Sequence, residues 1–359
     1  MAVSLPADTV LYLVLPMFAP QFGITIAEAG ILLAANRLVR IMGYGWVVRY
    51  YAKNGDRPTC TAAAIVAACC ALGNATLSGF WLLLPLRLLW GLCFAALNLS
   101  TQTLATALPA GANARSGRSR AIMALGPMIA LSGGALLTQA TGPRTIFFIL
   151  SFIAVFGLLL TRHLPAVPHA MGGKSRRLKL PGSLDIWSFL EGFTLDGLFI
   201  IGLAYLGHDL LPGGAVVVAG TLMASRYLGE IILAPIGGAM AERFGPLKLL
   251  VILSVLTAIT LVGFGAGWLW SCAGIILVLR ALQLPLLPPI VARRTPGPER
   301  VRALASRAVW RDIGAGIGPI AAGFLLPITS PLWVYGASAL LLAVSALACI
   351  KEPAPAAAP

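Results

Sequence analysis

Charge is scarce in this sequence. Only 11% of its 359 residues are Asp, Glu, Lys or Arg, where a soluble domain carries about 25%. A chain so short of charge lacks the polar surface to enclose itself in water, which excludes a large soluble or extramembrane domain. Histidine is scarcer still. His163, His169 and His208 are the three present, and no metal-ligand spacing joins them, so neither a metal site nor a cofactor is expected. No nucleophile stands with a base, which makes a polytopic membrane enzyme or a receptor the least favoured class. The six cysteines, Cys60, Cys69, Cys70, Cys93, Cys272 and Cys349, sit in apolar stretches and form no CxxC. That argues against a zinc site and a disulfide framework and for small packing residues. No basic n-region precedes the first apolar stretch, so no cleaved signal peptide is expected.

What the sequence has instead is apolar length, with 58% hydrophobic residues. A bilayer-spanning helix needs about 20 mainly apolar residues. Runs of this kind, broken by Gly, Pro or charge, predict spans at 3–22, 26–49, 59–77, 80–107, 118–139, 144–162, 186–207, 214–240, 247–265, 268–291, 302–327 and 331–350. The first is the weakest. It begins almost at Met1, contains Pro6, Pro16 and Pro20 and lacks a basic anchor, which leaves a start codon further upstream open. The expected fold is all-α and integral to the membrane, about twelve transmembrane helices in two pseudo-symmetric six-helix bundles. The bundles cover 1–162 and 186–350, joined by a cytoplasmic linker, 163–185, and followed by a tail, 351–359.

The net charge of +14 raises nucleic acid as a partner, but the basic residues alternate with apolar spans, and no basic and aromatic surface repeats along the chain. They set topology instead. With the N-terminus inside, eighteen of the 26 Lys and Arg fall on the cytoplasmic side and only Arg144 on the other. Both termini are therefore expected in the cytoplasm, of a bacterial inner membrane, with the lipid bilayer as partner and no nucleic acid. The linker HLPAVPHAMGGKSRRLKLPGSLD is rich in Pro, Gly and basic residues. It reads as a solvated connection more than as a lipid-headgroup site.

The two halves echo each other at an offset of roughly 190 residues, a duplication common in secondary transporters. Asn36-Arg37 matches Ser225-Arg226, Arg87 matches Arg280, and Gly133-Gly134 matches Ala322-Gly323. Inside the predicted spans lie Arg37, Arg87, Arg226, Arg280 and Arg311 with Asp8, Glu191, Asp196, Glu230 and Asp312. Each costs about 2.5–3.5 kcal/mol at the bilayer centre on the insertion scale. Any one of them alone reads as well as a buried ion pair locking helices. Ten together favour a polar path, because a static bundle can be held by Ser, Thr or Gly contacts. The candidate substrate and proton pathway is Asp8, Asn36, Arg37, Arg87, Asp196, Arg226, Glu230, Arg280, Arg311 and Asp312. Arg226 and Glu230 share a helix face, whereas Arg311 and Asp312 are adjacent and need partners on other helices. Gly126-Pro127, Gly133-Gly134, Gly314 and Gly318-Pro319 supply close approach and bending, which reads equally as plain tight packing or as a sliding or hinging interface.

After the eighth span, Gly238-Ala239-Met240-Ala241-Glu242-Arg243-Phe244-Gly245, followed by Lys248, resembles the signature loop of the major facilitator superfamily. The loop after the second span, Tyr51-Ala52-Lys53-Asn54-Gly55-Asp56-Arg57, departs from it, with Lys53 at the acidic position and Asp56-Arg57 late. Arg87-Leu88-Leu89-Trp90-Gly91 is similar to the Arg-x-x-x-Gly element of the drug and proton antiporters in that superfamily, and Gly126-Pro127 with Gly133-Gly134 to their fifth-helix motif, glycines displaced. The resemblance covers essentially the whole chain. It implies alternating access, with spans 1, 2, 4 and 5 facing 7, 8, 10 and 11, a role for Arg87 in proton coupling, and gating at Gly238, Glu242, Arg243 and Gly245. The expected function is proton-coupled efflux of a small organic molecule by a monomer. The alternative is uptake of an anionic nutrient by proton symport, with Arg37, Arg226 and Arg280 on its carboxylate or phosphate.

Overall fold

A computed structural model describes residues 1–169, 181–207 and 215–351. Among these residues every regular element is helical and no strand occurs. The helices are α1 (Leu5–Met17), α2 (Ile26–Asn54), α3 (Asp56–Thr76), α4 (Phe80–Ala105), α5 (Ala112–Thr141), α6 (Thr145–Thr161), α7 (Ser183–Glu191), α8 (Phe199–Gly207), α9 (Ala215–Phe244), α10 (Pro246–Gly265), α11 (Leu269–Gln283), α12 (Leu287–Arg294), α13 (Arg300–Leu325) and α14 (Pro331–Lys351). A π-helical segment, Gly192–Leu198, joins α7 to α8. Eight helical stretches are long and apolar enough to cross a membrane. At 13 and 17 residues α1 and α6 are shorter, and the 30-residue α9 and 26-residue α13 carry embedded charge.

Local chemistry sets several of these ends. Thr25 and Glu28 form a reciprocal cap at the start of α2, with Thr25 N–H donating to Glu28 Oε2 at 2.8 Å and Glu28 N–H to Thr25 Oγ1 at 3.2 Å. Gly245, at φ +86°, turns the chain out of α9, and Pro246 opens α10 without wasting an N–H. The π segment has a structural cause as well. Gly192, Gly197, Gly314 and Gly318 bring α13 against α7 backbone to backbone, and a Cβ on Gly314 or Gly318 would collide with the carbonyl of Phe189 or Phe193. Carbonyls in and beside the widened turn are met by side chains. Thr194 Oγ1 donates to Leu190 O at 2.7 Å, Arg280 Nη1 to Leu195 O at 3.2 Å and Tyr335 OH to Leu198 O at 3.1 Å.

The chain forms two compact units, one of Met1–Thr101, Ile122–Met171 and Gly213–Ile231, the other of Gln102–Ala121, Gly172–Pro212 and Ile232–Pro359. The first packs Leu11, Leu15, Phe22, Leu32, Leu83 and Phe147 into one apolar core. In the second, Phe199, Phe264 and Tyr335 stack edge to face, with centroids 5.3 and 4.9 Å apart. Each core surrounds buried charge.

Candidate functional site

In the first unit α1, α2 and α4 converge on Asp8. Arg87, 1% exposed, reaches from α4 to Asp8 Oδ1 with Nη1 at 2.5 Å, and its Nε donates to Leu32 O on α2 at 3.2 Å. Asn36 Nδ2 donates to the same Asp8 oxygen at 3.3 Å. Tyr12 stands one turn on from Asp8 and lays its ring 5.4 Å from the Arg87 guanidinium carbon. A carboxylate, a guanidinium, an amide and an aromatic face thus share one buried place. Beside it Asp8, Cys70, Asn74, Arg87 and Trp90 line a small hollow. Arg87 Nη2 and Trp90 Nε1 are buried there without a protein acceptor, which suits the hollow to a water.

The second unit repeats the pair and adds to it. Arg280 of α11 bonds Asp196 Oδ1 through Nη2 and Leu195 O through Nη1. Arg311 of α13 holds the other oxygen, with Nη2 2.9 Å from Asp196 Oδ2, and its Nε lies 2.8 Å from Glu191 Oε2. Further along the same two elements Arg307 Nη1 is 3.1 Å from Asp185 Oδ1, which also accepts from Ser306 Oγ at 3.1 Å. Acids on α7 and its π extension therefore face arginines on α13 and α11 in alternation. On an α-helix Glu191 and Asp196, five residues apart, would point about 140° apart. The π turn closes that angle, so one guanidinium reaches both.

Of the pathway residues read from sequence, Asp8, Asn36 and Arg87 meet in one cluster and Asp196, Arg280 and Arg311 in the other. Arg226 and Glu230 pair along α9 at 3.6 Å. Arg37 and Asp312 are half-buried and leave their helices about 100° around from Asn36 and Arg311. Sequence reasoning counted Glu191 among the embedded acids but left it out of the site, and it missed Asp185 and Arg307 as a pair.

The residues expected to gate separate by what surrounds them. Glu242 Oε1 accepts the Asn113 N–H at 3.0 Å and the Ala114 N–H at 3.4 Å, placing a negative charge on the first turn of α5. A Cβ on Gly238 would lie 2.5 Å from Asn113 O. The Arg243 guanidinium carbon sits 5.4 Å from the Phe244 ring centroid. Pro127 and Pro319 lie inside α5 and α13. A Cβ on Gly126 would collide with Ala2 O, whereas Gly133 has open space and Gly134 only ordinary contacts. Asp56, read as a displaced acid, is buried and accepts from Tyr51 OH at 2.6 Å and Ser100 Oγ at 2.5 Å.

Membrane-length helices around buried acid–arginine clusters define a multi-pass membrane protein with a polar interior. The sequence profile of the Major Facilitator Superfamily matches residues 1–208 and 184–359, and the chain belongs to that family of transporters. Compared with curated proteins one by one, the sequence matches none. Among solved structures the chain is similar to the human organic anion transporter MFSD10 (TETRAN), at 16% identity and TM-score 0.75 over 97% of both chains. It is also similar to the E. coli fucose:proton symporter FucP, at 16% identity and TM-score 0.72 over 98% of both chains. At such identity the likeness concerns the fold.

Proposed function

We propose that this chain is a secondary active transporter that exports a small organic molecule by alternating access in exchange for protons, in the manner of the drug and proton antiporters. The observation that carries the reading is the twin arrangement Asp8–Arg87 and Asp196–Arg280, a buried carboxylate held by an arginine from the equivalent helix of each half. A proton on Asp8 cancels the charge that holds Arg87, Asn36 then loses its anionic acceptor, and α1 is released from α4 and α2. Departure of the proton restores the pair. The same exchange at Asp196 works against two guanidiniums, so we assign proton coupling to Asp8 and the holding of α7, α11 and α13 to Asp196.

The reading includes twelve spans in two six-helix halves, 1–162 and 186–350, about the linker 163–185. It places both termini in the cytoplasm of a bacterial inner membrane, which the eighteen basic residues on that side support, and has the protein act as a monomer. The human organic anion transporter and the proton symporter among the similar structures support an organic solute and proton coupling.

The test has two stages. A thermal-shift screen of purified protein against organic anions, sugars and cationic drugs finds a ligand, and proteoliposomes with an imposed pH gradient then measure its transport. Asp8→Asn is expected to lose gradient-driven accumulation and keep ligand exchange at equal pH. Full gradient-driven transport by Asp8→Asn would overturn the assignment, and full transport by an Asp196→Asn, Asp312→Asn double variant would remove the second cluster from the mechanism. Uptake by proton symport is the second reading. It draws on the symporter likeness and on half-buried Arg37 and Arg226 as anion contacts, Arg226 being paired with Glu230 as Arg280 is with Asp196. Inside-out against right-side-out vesicles decides between the two directions.

A further inference from the structure

The loop between α2 and α3 departs from the family pattern, yet it is the better covered for it. After α6 the chain doubles back over this loop. The His169 N–H donates to Ala52 O at 3.0 Å, and the Arg57 N–H donates to Pro165 O at 3.0 Å. The second bond satisfies an amide at the start of α3, where no side chain caps the helix. Gly55, at φ +79°, makes the fit possible, since a Cβ there would lie 2.5 Å from Val167 O.

The His169 ring then closes the contact. It stacks on Tyr51 with centroids 4.7 Å apart and planes 20° apart, and its Nε2 lies 3.0 Å from Asp56 Oδ2. Asp56 is 1% exposed. Its Oδ1 takes the hydroxyls of Tyr51 and Ser100, so among the described residues His169 is the group that serves Oδ2. The Arg57 side chain is exposed and turned to solvent. A buried carboxylate needs donors on both oxygens, and the linker supplies the last one.

We propose that residues 165–169 are a strap belonging to the first unit, docked in a notch formed by Tyr51 of α2, Asp56 of α3 and Ser100 of α4, with His169 as the side chain that locks it. The chain therefore stays with the first unit through His169, beyond the end of α6. The strap also does the work of a helix cap for α3, which Lys53 and the displaced acid leave undone. The inference rests on contacts within one unit and stands whether the substrate moves in or out.

Hydrogen exchange on the full chain in lipid nanodiscs, read by mass spectrometry over peptides covering residues 52–60 and 163–169, tests it. Loss of a hydrogen bond to a charged group shifts a local equilibrium by about tenfold or more. His169→Ala is expected to speed exchange in both peptides together by about that factor, and His169→Gln, which keeps a donor, by less. His163→Ala should leave both unchanged. Adding Asp56→Asn to His169→Ala should change little more, because the two act through one bond. If Asp56→Asn does not fold, the two His169 variants still decide. Exchange of 163–169 at the rate of a free peptide in the unmodified protein, or an unaltered 52–60 peptide in His169→Ala, would overturn the strap.

Discussion

Asp8 and Asp196 sit in equivalent clusters that tolerate disturbance very differently. Asp8 meets one guanidinium and one amide, both on the same oxygen. Asp196 meets two guanidiniums on opposite oxygens, and one of those is shared with Glu191. Charge in the first cluster rests on a single ion pair, since removing either ion leaves the other with no counter-charge in the cluster, only Asn36 on Asp8 or the Leu32 carbonyl on Arg87. In the second, a lost ion is partly replaced by its neighbours. A buried pair is weak evidence of stability but strong evidence of what its disruption costs. The first cluster is therefore the more easily disturbed of the two.

The sharpest way to break this contrast is to remove each arginine. Arg87→Met should cost about 3–5 kcal/mol, the penalty of an orphaned buried charge, and Arg280→Met roughly half as much because Arg311 still faces Asp196. Thermal unfolding of the purified variants in one detergent measures both, and equal losses would erase the distinction. Next comes helix contact. Gly314→Ala forces a Cβ onto the Phe189 carbonyl and should cost about 1–3 kcal/mol. Gly126→Ala should cost about as much, because a Cβ there meets both the carbonyl of Ala2 and the ring of Pro6 in α1. Gly133→Ala meets open space and should stabilise by up to about 1 kcal/mol through helix propensity. The smallest effect expected is that of Glu242→Gln, about 0.5–1 kcal/mol from the weakened charge at the start of α5, and it should fade as salt is raised.

Membrane-length helices and embedded charges were legible in the sequence because an apolar run and a lone Asp within it are local facts. Arg87 and Arg280 could be matched on order alone, and Asp8 and Asp196 drew notice as acids where lipid belongs. Their mutual contact was not legible, since partner choice depends on which face each helix turns inward. Glu191 escaped for a definite reason. An α-helical period puts it on a different face from Asp196, and only backbone contact with the glycines of α13 makes a π turn there. Asp56 and His169, separated by more than a hundred residues, looked like a misplaced acid and a linker histidine. Nothing in either segment announces the other.

The π segment also bears on how this chain can change over generations. Asp8 and Asp196 are 188 residues apart, while Arg87 and Arg280 are 193 apart, so no single offset matches both pairs. A π turn is what a helix becomes when it absorbs a residue without surrendering its ends. Deleting one residue between Glu191 and Asp196 would leave the two acids four apart on an α-helix, about 40° around from each other and still on the face of the guanidinium they share. A change of one residue in this stretch is thus taken up by the turn, and one fixed offset cannot match both Asp8 with Asp196 and Arg87 with Arg280.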